Sequence, residues 1–211
     1  MGIEQKVQVL YEREGGVLAV QTPSNRESFR EGLRDSKVIN ALAACRMNVK
    51  LAEELFVNFS SIPAVSEEDQ FTKGQDKQKT EHVIIRETDY DGKKIKLLQV
   101  DFYPPAVGHG GETIGGIFTN TAEIIFGLEG QGVLEVVPVI TQDGKIFPDL
   151  KNAQDVTIGK GTLVILPPNV QGNRWKSMKP TTGEEPSLRA LFVAFPEPYE
   201  NAVTRKFDLK P

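Results

Sequence analysis

The hydrophobic pattern of the chain changes its period near residue 65. Before that point, apolar residues recur at three- and four-residue steps, which is the spacing of one face of an α-helix. Ser24, with Glu27 three residues later, has the form of a capping box that begins a shorter helix toward Arg34. Residues 1–65 are therefore predicted to form a strand and a helical extension. The apolar stripe of the longer helix consists of Val38, Leu42, Cys45, Val49, Ala52, Phe56 and Phe59.

From about Thr80 the period is two, as in β-strands. Asp91-Gly92 separates two such segments and is typical of a hairpin turn. Many short segments rich in branched residues, with no helical pattern between them, predict a mainly β sandwich or barrel over residues 80–196. A polar connection, 66–79, precedes this region, and a polar tail, 197–211, is predicted to wrap over it. The predicted strands are 82–86, 95–100, 123–126, 132–137, 162–166 and 188–194.

Composition and charge restrict the possible partners. The net charge of −4 is spread along the chain and there is no basic stripe, which argues against nucleic-acid binding. No apolar run approaches the roughly 20 residues that span a bilayer, and the N-terminus is too polar for a signal peptide. Cys45 is the single cysteine and cannot form an internal disulfide, which is typical of a reducing compartment. We therefore expect a cytoplasmic protein that contacts neither membranes nor nucleic acid.

The apolar stripe also predicts an oligomer. A lone helix with the stripe from Val38 to Phe59 would leave a large apolar surface in water, so we expect a homodimer unless the stripe packs on its own barrel. Cys45 lies on this stripe with no histidine on the same helix. It is therefore interpreted as a small core residue rather than a catalytic thiol.

Two segments of the β region carry a more specific pattern. In Thr121–Gly132 a glutamate heads a strand and a Gly-x-Gly follows it, and in Gly159–Pro168 a glycine turn precedes an apolar strand that stops at a proline pair. Together they resemble the two conserved segments of the cupins. This resemblance implies the cupin double-stranded β-helix, a jelly-roll barrel, with a small-molecule site at its mouth.

Within the cupins, the chain resembles the cupin-type glucose-6-phosphate isomerases over residues 80–196. The resemblance is carried by Tyr103-Pro-Pro-Ala-Val-Gly108, by Glu112-Thr-Ile-Gly-Gly116 and by Ala122-Glu123. It implies a phosphorylated sugar as substrate and a metal bound by two histidines of a His-x-His segment, one glutamate and a last histidine.

This sequence departs from the family at the metal ligands. Gly116 and Phe118 occupy the two positions of His-x-His, and Gly172 occupies the position of the last histidine. Only Glu123 remains, and one carboxylate cannot hold a transition metal alone. The prediction is therefore no metal and no cofactor.

A relocated metal is the alternative. His109 and Glu112 lie in a glycine-rich stretch before the motif strand and would make a three-ligand site with Glu123, whereas a solvent-exposed loop histidine is the simpler interpretation. The only other histidine, His82, is predicted to begin a strand and is the weaker candidate.

The remaining pattern predicts a ligand site without a metal. Thr113 and Gly115 match the Thr-x-Gly that the resemblance places beside the substrate phosphate, although a glycine bend at a barrel corner is an equal alternative. Glu123 is the candidate catalytic acid or base, or else a carboxylate that fixes a strand. Three further residues complete the predicted lining of the mouth: Phe118, Gln171 and Arg174.

Three functions stay open from the sequence. An isomerase of the family's kind would use Glu123 to move a proton, with Arg174 or Lys160 replacing the metal in stabilising the enediolate oxygen. A different metal-free reaction, such as a lyase, epimerase or cyclase step, suits the apolar Phe118 better. The third is a non-catalytic module that binds an anionic or sugar-like molecule.

Overall fold

A computed structural model describes residues 7–22, 26–58, 60, 62, 80–102, 116–169, 171–175, 186–197 and 204–206. For residues 26, 80–82, 116–118, 171–175 and 204–206 it describes the backbone alone. The strands are β1 Gln8–Arg13, β2 Val17–Gln21, β3 Thr80–Tyr90, β4 Lys93–Phe102, β5 Gly116–Phe118, β6 Ala122–Gln142, β7 Lys145–Pro148, β8 Gln154–Gly159, β9 Thr162–Leu166, β10 Gln171–Trp175, β11 Leu188–Phe195 and β12 Thr204–Lys206. The helices are α1 Arg26–Leu33, α2 Ser36–Ala44 and α3 Val49–Ala52, and a π-helical turn, Glu53–Val57, continues α3.

The strands form two antiparallel sheets that share β6. The first sheet has the order β1-β2-β9-β6-β11-β4-β3, and the second has the order β8-β6-β10-β5-β12. Strands β6 and β7 form an additional hairpin. The predicted mainly β antiparallel architecture with an N-terminal helical extension is confirmed.

The long strand β6 passes from one sheet to the other. Residues 122–130 pair with β11 and residues 131–136 pair with β8, and the change of partner falls at Gly130, whose φ is +72°. The sequence predicted two strands separated by a Gly-x-Gly turn. That prediction is wrong, because the glycines bend a continuous strand instead of ending it.

The predicted long helix is also interrupted. Helix α2 ends at Ala44, and Arg46 takes the left-handed conformation with a φ of 61°. Asn48 then caps α3 by accepting a hydrogen bond from the Leu51 amide at 2.8 Å. The apolar stripe is continuous across the break because two short helices lie on one surface.

Two apolar cores lie on the two sides of the first sheet. The inter-sheet core contains Ile125, Val164 and Phe192 from the first sheet, with Leu134 and Val136 from the second. The outer core lies between the first sheet and the helices, and it joins Ile124, Leu163, Leu191 and Val193 to Val38, Leu42, Cys45, Leu51 and Phe56.

The outer core changes the argument for an oligomer. Val38, Leu42 and Phe56 are buried against the chain's own barrel, and Phe29 of α1 stacks on Phe126 of β6 with ring centroids 4.3 Å apart. The described part of the stripe, which ends at Phe56, therefore leaves no apolar surface that a partner must cover. The homodimer stays a prediction, but the apolar stripe no longer supports it. Within the described residues, no helix combines the length and the apolar character that crossing a membrane requires.

Candidate functional site

Among the described residues, three connections at one end of the barrel lie close to one another. These are the turn between β1 and β2, residues 119–121 between β5 and β6, and the segment that leaves β9 at Pro167. Asn169 donates a hydrogen bond from Nδ2 to the Thr119 carbonyl at 2.7 Å, which ties two of these connections together. Gly16 of the β1–β2 turn packs so closely that a Cβ there would lie 3.4 Å from Cγ of Pro167. We call this end the mouth.

Glu123 lies at the mouth on the inner face of the first sheet. It is the second residue of β6 and pairs in register with Leu166 of β9 and Ala194 of β11. Residues directly opposite one another share a face of the sheet. Leu166 belongs to the inter-sheet core, and so does Ile125, which follows Glu123 by two residues in β6. The side chain of Glu123 is only 7% exposed. A carboxylate therefore stands among aliphatic side chains inside the barrel.

The motif strands meet beside this end. Gly172 and Asn173 of β10 pair with Ile117 and Gly116 of β5, so that one further step of this register brings Gln171 opposite Phe118, about 5 Å away. Gln171 also pairs with Pro138 of β6. The backbone thus brings the predicted residues Phe118 and Gln171 together, and their role in binding stays a prediction.

Arg174 pairs in register with Glu135 of β6. Glu135 is buried and alternates along β6 with Leu134 and Val136 of the inter-sheet core. The predicted contribution of Arg174 to the mouth also stays a prediction.

Lys160 does not fit the role that was predicted for it. It lies in the turn between β8 and β9, whereas Leu166, the partner of Glu123, ends β9. The five residues of β9 separate the two by about 17 Å. A lysine at the opposite end of the barrel cannot stabilise an oxyanion formed beside Glu123.

Four candidate residues lie outside the described residues: Thr113, Gly115, His109 and Glu112. Of His82, which falls in β3, only the backbone is described. Within the described ranges, no group of three or more His, Cys, Asp or Glu side chains is arranged to hold a metal ion. The relocated metal site of His109, Glu112 and Glu123 therefore stays a hypothesis.

Cys45 is buried in the outer core. Its side chain is 1% exposed, and burial raises the pKa of the thiol from 9.0 to about 12. A protonated, enclosed thiol is a poor nucleophile.

Sequence reasoning missed two inward-facing residues of β1. Tyr11 and Arg13 pair in register with Ala19 and Val17, and Tyr11, Ala19 and Val17 all belong to the inter-sheet core. Burial raises the pKa of Tyr11 above its ordinary value of 10.0, although the charge of Arg13 and hydrogen bonding with it act in the opposite direction. The Gly15-Gly16 pair between two strand-like segments was the signal for this hairpin.

Comparisons with known proteins give a fold-level likeness. No protein-family model matches the chain, and no curated protein matches it significantly. Similar solved structures include Streptomyces Pac13, described as a unique nucleoside dehydratase, at 14% identity and a TM-score of 0.42, with 70% of this chain and 93% of Pac13 covered. Vicilin from Solanum melongena is similar at 8% identity and a TM-score of 0.41, covering 74% and 35% of the two chains.

A third similar structure is an oxalate decarboxylase variant from Bacillus subtilis. It has 17% identity and a TM-score of 0.39, with 66% of this chain and 30% of that protein covered. None of these three is described as a sugar-phosphate isomerase. At such identities and TM-scores, the likenesses carry no argument about the site or its chemistry.

Proposed function

We propose that this chain is a barrel enzyme that binds a small anionic or sugar-like molecule at the mouth and transfers a proton without a metal. The observation that carries the proposal is the position of Glu123, 7% exposed on the inner face of the barrel and paired with Leu166 and Ala194. Burying a carboxylate costs free energy, which interactions of the charged group offset. A catalytic acid or base is a reason for placing one there.

Glu123 would remove a proton from a carbon next to a carbonyl group and return it to a neighbouring atom. Return of that proton to the former carbonyl carbon, with a proton passing between the two oxygens, gives an isomerase. Loss of a hydroxyl group from the carbon on the other side, which takes up the proton and leaves as water, gives a lyase. Phe118 would form an apolar wall, while Thr113, Gly115 and Gln171 would bind the polar groups of the ligand. An apolar lining in place of two imidazoles favours a ligand less polar than a simple sugar phosphate.

Deuterium exchange tests the proton transfer directly. The protein is incubated in D₂O with a panel of aldose phosphates, ketose phosphates and 2-hydroxy acids, and proton NMR follows the loss of carbon-bound protons. We expect exchange for at least one compound. Glu123→Gln should slow it about 10² to 10⁴-fold, the usual contribution of a general acid or base.

Glu129→Gln is the matched control. Glu129 lies on the same strand but is exposed, and it approaches Arg189 of the neighbouring strand at 3.6 Å. Exchange at the wild-type rate in Glu123→Gln would refute the role of Glu123.

The alternative is a binding module that does not turn its ligand over. It is favoured if compounds of the panel bind with no exchange and if Glu123→Gln leaves their dissociation constants within about threefold of wild type. If no compound of the panel binds the wild-type protein, both the proposed enzyme and the alternative binding module are refuted.

A further inference from the structure

Arg13 lies on the inner face of the barrel at the mouth. It is the last residue of β1 and pairs in register with Val17 of the inter-sheet core. Leu18 pairs with Ile165 of β9, which brings the neighbouring Val17 to the position opposite Leu166. Because Leu166 pairs with Glu123, one row across the first sheet runs from Arg13 to Glu123.

The row fixes the separation of the two charged residues. Three strand spacings lie between β1 and β6, or about 14 Å along the sheet between the two backbones. Both residues face the space between the sheets, and the arginine side chain is long enough to extend toward Glu123. A molecule that binds there can contact both.

The guanidinium of Arg13 has spare hydrogen-bonding capacity. Its Nη1 atom is buried and has no hydrogen-bond partner, and no carboxylate of a described residue forms an ion pair with it. A buried donor without a partner costs free energy. The neighbouring Tyr11 is neutral near pH 7, because the ordinary pKa of its hydroxyl is 10.0 and burial raises it further.

Two other arginines of the chain are paired with carboxylates. Arg189 binds Asp101 through two parallel hydrogen bonds of 2.8 Å from Nε and Nη2. Arg34 lies 3.0 Å from Glu53 and 3.4 Å from Glu31. The guanidinium of Arg13 has the same planar set of N–H donors, whose geometry fits the oxygens of a carboxylate or a phosphate.

We propose that Arg13 binds the anionic group, a carboxylate or a phosphate, of the small molecule that occupies the barrel mouth. This inference rests on the proposed function, since it assigns one end of the same ligand. Arg13 orients the molecule so that its anionic end lies at β1 and its reacting carbons lie near Glu123. Tyr11, the next inner residue of β1, forms the wall beneath the anionic group.

Binding measurements with probes matched in shape test this assignment. Glucose 6-phosphate and gluconate supply a phosphate and a carboxylate, while glucose and glucosamine are the neutral and cationic counterparts. Dissociation constants are measured by ligand-observed NMR for wild type, Arg13→Gln, Arg13→Lys and Arg34→Gln. Inorganic phosphate and acetate, used as competitors, distinguish the two anion sources.

The expected result is selectivity for an anionic probe that depends on Arg13. Arg13→Gln should weaken that probe about tenfold to hundredfold, as expected for the loss of hydrogen bonds to a charged group. Arg13→Lys, which keeps a charge without the fork, should give an intermediate value. The surface variant Arg34→Gln should match wild type.

Two results overturn the assignment, and they are distinguishable. If probes bind the wild type but Arg13→Gln binds the anionic and neutral ones as wild type does, the role of Arg13 is refuted and the small-molecule site stands. If no probe binds the wild type, the assignment is refuted together with the proposed function. A circular dichroism spectrum identical to wild type shows that Arg13→Gln is folded.

Discussion

Two buried titratable side chains lie on opposite faces of the first sheet. Glu123 faces the inter-sheet core at the mouth, and Cys45 lies in the outer core under the helices. A ligand that enters between the sheets can contact the carboxylate but not the thiol. Thiol chemistry is therefore not available to such a molecule.

The pKa of Cys45 predicts a decline of stability at alkaline pH. The unfolded thiol ionises near pH 9.0, whereas the folded thiol stays protonated to about pH 12. Because the unfolded state loses its proton first, the free energy of unfolding falls as pH rises through this interval, by at most about 1.4 kcal/mol per pH unit. Below pH 9 the contribution is fully present.

Urea unfolding at pH 8 and pH 10.5 measures this decline. Cys45→Ala should show a smaller loss of unfolding free energy between the two pH values than wild type, since only the contribution of the thiol is removed. Tyr11 shifts in the same direction and remains in both proteins. Equal losses in the two proteins would contradict the assignment of the shift to Cys45.

The sequence pattern predicted the burial of a residue correctly where that burial depends on neighbouring residues in the chain. The stripe correctly placed Val38, Leu42 and Cys45 in a core, because helical spacing alone determines their common face. Arg13 could not be recognised in the same way. Its position relative to Glu123 depends on register through β2 and β9, and β9 is more than a hundred residues away along the chain.

At the scale of elements, β6 determines how the two sheets meet. A Cβ on Gly130 would lie 2.1 Å from the Ser187 carbonyl oxygen, and one on Gly127 would lie 2.0 Å from that of Gly159. The strand therefore needs glycine where it bends. Strand β9 was predicted with the observed bounds because Gly161 and Pro167 flank it, whereas the continuity of β6 depends on partners that its own residues do not specify.

Two glycine substitutions separate backbone conformation from crowding. Gly130 and Gly92 have nearly the same φ, +72° and +73°, but nothing lies within 4 Å of a Cβ on Gly92. Gly92→Ala should cost about 1–2 kcal/mol, the strain of an L-residue in this region. Gly130→Ala should cost more than about 3 kcal/mol, because the Ser187 backbone must also move.

Chemical denaturation of both variants gives the comparison. Equal losses of unfolding free energy would show that crowding at Gly130 is relieved without cost. The bend at Gly130 would then require glycine only for its backbone conformation, not for the absence of a Cβ atom.

At the scale of the whole molecule, the helices and the barrel share one core. Leu55 of the π-helical turn is 1% exposed, and it belongs to the same cluster as Ile124, Leu163 and Leu191 of the first sheet. The sequence divided the chain at residue 65 because its hydrophobic period changes there. A change of period marks a change of secondary structure, whereas a folding unit is defined by shared burial. The predicted boundaries 1–65 and 80–196 stay a prediction, and because the two parts share one core we expect them to unfold together.

This expectation is tested by two probes of one urea transition. Far-UV circular dichroism reports the β-structure that dominates the chain, and the reaction of Cys45 with a thiol reagent reports opening of the helical side. Their midpoints should coincide.

Leu55→Ala should shift both midpoints together and lower the free energy of unfolding by about 2–5 kcal/mol, the usual range for a buried leucine. Leu150→Ala, at 43% exposure, should lower it by less than about 0.5 kcal/mol. If the thiol of the Leu55→Ala variant reacts fully at urea concentrations that leave the dichroism spectrum unchanged, the helices form a separate unit. The outer core would then be a docking surface and not part of one cooperative fold.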